Sequence, residues 1–217
     1  MSTAAAVAAA PAPAPRRARL VRAALTAVAA AAGVAVSALA FGALWPSGGA
    51  APAPRPQGLS ASDRAAVRVV VDRAERMVTL TPAELGYTLR VAGPVAGIRG
   101  QTDNAARTIT LFVSPDDTPN VVAHDLGHEL GHAFDARALT TAERATYLRA
   151  RGVPGAPWFP GPQASDYRSG AGDFAEVFAL CHAASPVYRS RLAARPADPC
   201  GALPKQARAA KLAEGGS

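Results

Sequence analysis

An α+β fold is predicted by three observations along the 217-residue chain. A capped amphipathic helix comes first, and a run of short β-patterned segments follows. Two apolar helices close the order, the first rich in histidine and the second carrying paired acids. Strands grouped together, rather than alternating regularly with helices, are the α+β arrangement. No internal repeat is visible.

The folded part begins near residue 59. Residues 1–22 form an Ala/Pro-rich leader ending in the basic cluster Arg16, Arg17, Arg19 and Arg22. Such a composition buries too little to fold. Residues 23–45 carry no charge and are rich in Ala, Val and Leu. At about 1.5 Å per residue that length can span a bilayer core of roughly 30 Å. Trp45 fits an interfacial anchor, and the preceding arginines predict a cytoplasmic amino terminus. A signal anchor and a secretory signal peptide cleaved near Ala40 both remain open, and both place the rest of the chain outside the cytoplasm. Residues 46–58, rich in Pro, Gly and Ala, read as a linker.

The whole chain carries a net charge of +7, yet after residue 58 there are 18 basic against 16 acidic residues. A balance of +2 over residues 59–217 excludes a strongly basic nucleic-acid-binding surface. That length is enough for one domain with its own core. Cys181 and Cys200 are the only cysteines, and outside the cytoplasm such a pair is expected as a disulfide.

Within the domain, Ser60-Ala-Ser-Asp63 caps a helix reaching about Val78, with Val67, Val70, Val71, Ala74 and Val78 as its apolar stripe. Tyr87–Ala92 and Val95–Gly100 read as short strands on either side of Gly93-Pro94. Thr102–Ala105 is turn-like. Arg107-Thr-Ile-Thr-Leu-Phe-Val113 alternates as a half-buried strand should, and is the expected sheet edge for an extended peptide. Pro119 suits the first turn of the next helix. Thr140-Thr-Ala-Glu143 opens another helix with capping-box spacing. Gly152–Gly172 is a long loop, Asp173–His182 a helix, and Ser185-Pro186 the start of a last short helix to about Ala194.

The chemistry concentrates in Asn120–Asp135, which holds His124, His128 and His132. His128-Glu129-Leu130-Gly131-His132 has the pattern H-E-x-x-H. Residues four apart on a helix lie one above the other, so both imidazoles can hold one Zn²⁺ with Glu129 beside the metal's water as general base. Val122, Leu126, Leu130, Ala133 and Phe134 form the opposite, core-facing stripe. Gly127 and Gly131 each cost about 1 kcal/mol relative to Ala inside a helix. Two of them one turn apart predict the close passage of another backbone or of substrate. The role of His124 is left open, and Asp135 is either a partner for a ligand imidazole or an exposed helix end.

A catalytic zinc site takes three protein ligands and keeps one position for water. The second apolar helix offers Asp173 and Glu176 one turn apart on one face, and an unpaired acid in so apolar a helix would be costly.

The blocks His128-Glu-Leu-Gly-His-Ala-Phe-Asp135 and Asp173-Phe-Ala-Glu-Val-Phe178, with Tyr167 between them, resemble the zincin metallopeptidases of the gluzincin type. The resemblance is to the compact catalytic domain of anthrax lethal factor and related small bacterial peptidases. It covers about 20 residues and says little of residues 59–118. It implies a zincin-like fold, a Zn²⁺ cofactor, a protein or peptide substrate, and a tyrosine that stabilises the tetrahedral intermediate, for which Tyr167 is the candidate. In the family the second block opens with an acid that binds the metal. Here that position is Gly172. The expectation is therefore that Glu176, with the longer reach, is the third ligand and Asp173 an orienting or alternative one. Gly172 also favours a competing reading, a zincin-like binding or cell-envelope protein with a degenerate metal site.

Overall fold

Helix α1 (Ala61–Glu75) begins where the sequence predicts, with Ser60 accepting from the Asp63 amide in a capping box. The structure, a computed structural model, describes residues 55–161 and 165–209. The leader, the apolar stretch 23–45, most of the linker and the tail from residue 210 lie outside those residues, and so do the expectations attached to them. No described helix is long and apolar enough to cross a membrane.

The described domain is mixed α and β, with three short strands and helices packed round one core. Strand β1 (Thr88–Ala92) pairs in parallel with β3 (Thr108–Phe112), and β2 (Gly100–Asp103) pairs antiparallel with β3. The order is β1-β3-β2. Two expectations change here. Val95–Gly100 forms only a Val95–Ile98 bridge before β2 begins at Gly100. The strand expected at the edge, β3, is central: its backbone pairs with β1 along one side and with β2 along the other, while its Ile109 and Leu111 are fully buried. The edge beside the histidine helix is β2.

Helix α2 (Pro119–Ala138) is capped by Thr118 and takes Pro119 in its first turn. Its stripe of Val122, Leu126, Leu130, Ala133 and Phe134 is buried, as its spacing requires. The short helix α3 (Thr141–Ala150) follows a capping box of Thr140 and Glu143. Helix α4 (Gly170–His182) starts three residues earlier than its acid pair suggests, with the Ser169 hydroxyl accepting from the Gly172 amide. After it, residues 183–198 run without helix, so the helix expected from Ser185 is absent. Instead α5 (Pro199–Ala202) and α6 (Lys205–Arg208) close the described chain.

Helices α2 and α4 cross in close contact, and the two glycines explain how. A Cβ at Gly131 would lie 2.7 Å from the Ala175 Cα, and one at Gly127 would lie 3.1 Å from the Ala179 Cα. The close neighbour predicted for these glycines is thus the α4 backbone, not substrate. Facing small residues let the histidine face of α2 and the acid face of α4 approach each other. Cys181 at the end of α4 is joined to Cys200. That bond ties the irregular segment between them against the same helix.

Candidate metal centre

Three side chains converge at one end of the α2–α4 crossing. His128 Nε2 and His132 Nε2 are 3.1 Å apart, and each is 3.1 Å from Asp166 Oδ2. The histidines come from successive turns of α2. Asp166 opens a single 3₁₀ turn, Asp166–Arg168, at the end of the long loop before α4. Three such atoms at mutual hydrogen-bond distance need a proton or a cation among them. In a tetrahedral Zn²⁺ site with ligands at about 2.0–2.1 Å, neighbouring ligand atoms are about 3.3 Å apart. The observed triangle of two imidazoles and a carboxylate therefore fits three corners of such a site, with one corner left over.

Glu176, expected to be the third ligand, lies behind the rings. Its Oε1 is 2.8 Å from His128 Nδ1, the nitrogen facing away from the triangle. Its carboxylate also meets His124 Nε2 at 3.1 Å and accepts from the Arg189 amide. Glu176 is fully buried. Burial opposes its charge, but hydrogen bonds with His124 and His128 outweigh that and lower its pKa to about 2. A carboxylate behind a ligand imidazole fixes the ring orientation and tautomer. His124 thereby has a position: it is buried between Glu176 and Asp125, 3.3 Å from Asp125 Oδ1.

Asp173 takes no part. It is wholly buried 2.8 Å from Arg151 Nε, and accepts also from the hydroxyls of Tyr147, Tyr188 and Ser190 at 2.7, 3.1 and 2.6 Å. Those partners neutralise it within the fold, far better than a role orienting a histidine would require. Asp135 is likewise occupied elsewhere, by Arg144 Nε at 2.7 Å and Trp158 Nε1 at 2.9 Å.

Gly172 makes room for the Asp166 turn. A Cβ built there would lie 2.2 Å from the Asp166 carbonyl oxygen and 2.6 Å from Asp166 Oδ2. The Asp166 turn occupies the space that a side chain at position 172 would need. The Ser169 hydroxyl, besides capping α4, donates to the Asp166 carbonyl oxygen at 2.9 Å and to Oδ1 at 3.2 Å. Burial opposes charge on Asp166, and hydrogen bonds from His128 and His132 outweigh it, holding the carboxyl well below the usual range. The same two-sided contest acts on His128: burial disfavours its cation, while hydrogen bonds with Asp166 and Glu176 raise its pKa well above the ordinary value.

The triangle opens into a cleft of about 820 Å³ lined by β2, α2 and the loop before α4. Glu129 faces it from α2 and Tyr167 from the 3₁₀ turn, with the Tyr167 ring centroid 5.5 Å from that of His128. Glu129 is pinned against β2, where the Thr102 hydroxyl donates to its Oε2 at 2.7 Å. Asp125, the other acid preceded by a histidine, sits between the guanidinium groups of Arg99 and Arg189; burial opposes its charge, but the His124 hydrogen bond and the two guanidinium groups outweigh it and lower its pKa.

The structure thus brings His128, His132, Glu129 and Tyr167 to one cleft, keeps Glu176 one layer behind, and leaves Asp173 outside. Sequence reasoning missed Asp166. Its one signal was Gly172, the position at which the zincin resemblance implies an acid. Among protein-family models, curated proteins and solved structures, none matches this chain.

Proposed function

We propose that this cleft is the active site of an extracytoplasmic zinc endopeptidase with a zincin-like fold. The observation that carries the reading is the triangle of His128, His132 and Asp166 with Glu129 in the same cleft. His128 and His132 would hold the ion through Nε2 and Asp166 through Oδ2. A Zn²⁺ held there supplies a Lewis acid for the scissile carbonyl and a water that ionises near pH 7.

The chain's own groups account for the remaining steps. Glu129 accepts a proton from the attacking water and returns it to the departing amine, so that one water and one peptide bond become a carboxylate and an amine. Tyr167 offers a phenolic donor to the oxyanion that develops on the carbonyl. Glu176 holds the His128 ring. An extended substrate would pair with the free edge of β2, whose residues line the cleft, by β-augmentation. The Cys181–Cys200 disulfide and the basic-then-apolar amino terminus support a site of action outside the cytoplasm.

The competing reading, a non-catalytic protein with a degenerate metal site, rested on Gly172. The turn that carries Asp166 packs against Gly172 and offers a carboxylate beside the two histidines, which supports the metal-binding reading over that one.

Glu129→Gln should retain about one equivalent of Zn²⁺ while abolishing hydrolysis of a denatured protein. Undiminished cleavage by that variant, or a purified wild-type protein that takes up no zinc, refutes the proposal.

A further inference from the structure

The edge strand β2 is shaped around the Glu129 carboxylate. Alternate residues Gly100 and Thr102 point to the same face, the half-buried one, while Gln101 and Asp103 are exposed. A Cβ at Gly100 would lie 2.5 Å from Glu129 Oε1, 2.7 Å from its Cγ and 2.8 Å from its Cδ, so only glycine leaves room for this side chain. Two residues on, the Thr102 hydroxyl reaches Glu129 Oε2 at 2.7 Å and the Glu129 carbonyl oxygen at 3.0 Å. One hydroxyl proton cannot serve both acceptors fully. The shorter contact to a charged oxygen is the stronger.

Thr102 contributes little to the core, since it is only half-buried, and the polar contacts of its side chain among the described residues go to Glu129 alone. A free glutamate side chain samples many rotamers, and fixing one costs conformational entropy. Thr102 meets much of that cost before substrate arrives. Its strand is in turn fixed by pairing of Thr102 with Ile109 and Gly100 with Leu111 on β3.

We propose that Thr102 is a positioning residue for Glu129, and that Gly100 and Thr102 together tie the orientation of the base to the strand along which substrate pairs. The inference rests on reading Glu129 as the general base. Its consequence is that peptide docking and base alignment share one rigid element, so a loss at Thr102 falls on turnover rather than on binding.

The test compares Thr102→Val and Thr102→Ser with wild type in the full-length zinc-loaded protein, using a fluorogenic peptide built on a cleavage site found in a denatured protein. Thr102→Val keeps the shape and removes the donor, and a hydrogen bond to a charged group makes the expected loss in kcat about tenfold or more. KM should stay within about twofold and zinc content at one equivalent, while Thr102→Ser should recover kcat to within about threefold of wild type. Wild-type kcat in Thr102→Val, or Thr102→Ser as impaired as Thr102→Val, overturns the inference. A wild-type protein that cleaves nothing refutes the peptidase reading instead. Crystal structures of wild type and Thr102→Val then judge Thr102 without activity: the Glu129 carboxylate should leave β2 in the variant, and an unmoved carboxylate overturns the positioning role.

Discussion

Replacing Asp166 with Asn removes the only negative charge among the three atoms of the triangle while nearly preserving shape. Its Oδ2 is 3.1 Å from both histidine nitrogens, so whatever cation they hold is in direct reach of this oxygen. Loss of an outer partner behind a ligand usually lowers metal affinity about 10–100-fold. Glu176→Gln, which weakens a bond to His128 Nδ1, should fall in that range. Asp166→Asn should exceed it, by about 100-fold or more, or at least about 2.8 kcal/mol at 1.4 kcal/mol per decade. Asp166→Ala should be as severe, since it leaves no oxygen at all. Asp173→Asn should change metal affinity least and stability most. It breaks a buried contact with Arg151, a class of loss that costs about 3–5 kcal/mol. Competition against a chromogenic chelator gives the affinities, and denaturant unfolding of each variant separates folding from binding. Should Glu176→Gln shed its zinc while Asp166→Asn binds as wild type does, Glu176 would be the ligand and the assignment of Asp166 would be refuted.

Three further outcomes follow from the same geometry. Gly131→Ala gains about 1 kcal/mol of helix propensity but drives a methyl to 2.7 Å from the Ala175 backbone. Overpacking of that kind costs about 1–3 kcal/mol or more, so the unfolding midpoint should fall, and fall further than in Gly127→Ala, where the gap is 3.1 Å; an unchanged midpoint would mean the helices separate freely. Reduction of the Cys181–Cys200 bond, which spans 19 residues, should lower stability by roughly 3 kcal/mol on the chain-entropy model, and a native mass spectrum with two free thiols would rule the bond out. The pH dependence turns on His128, whose pKa in the metal-free protein is raised well above 6.5 despite burial, by hydrogen bonds with Asp166 and Glu176. A raised folded-state pKa contributes stability that is fully present below the unfolded value and is lost as pH rises through the folded one. Zinc requires the neutral ring, so the metal-free protein should lose stability as pH rises above the unfolded value of about 6.5, while apparent zinc affinity climbs over the same range, by up to about tenfold per unit for one released proton. A flat calorimetric affinity profile across that range would contradict the assignment.

Most of the helical frame was legible in the chain because its signals are local. Ser60 with Asp63 and Thr140 with Glu143 cap their helices as their spacing requires. The apolar stripe of α2 is buried, and the i, i+4 spacing of His128 and His132 brings their ring nitrogens to 3.1 Å. The cysteine pair and the glycine pair of α2 also pointed correctly to a bond and to a close backbone. These features depend on one turn of helix or on the only partner available.

Tertiary structure decided everything that depended on which distant groups meet. Periodicity describes a strand's faces but not its neighbours, so it could not place β3 in the centre and β2 at the edge. Asp173 and Glu176 look equivalent along α4, yet Arg151, three hydroxyls and full burial claim the first, while His124, His128 and the Arg189 amide claim the second. Asp166 lies in a proline-rich loop with no periodic signal, and only the packing of its turn against Gly172 brings it to the histidines. A local pattern can specify two ligands on one helix. A third candidate comes from another segment, and only the folded chain decides which carboxylate meets the Nε2 atoms of both histidines.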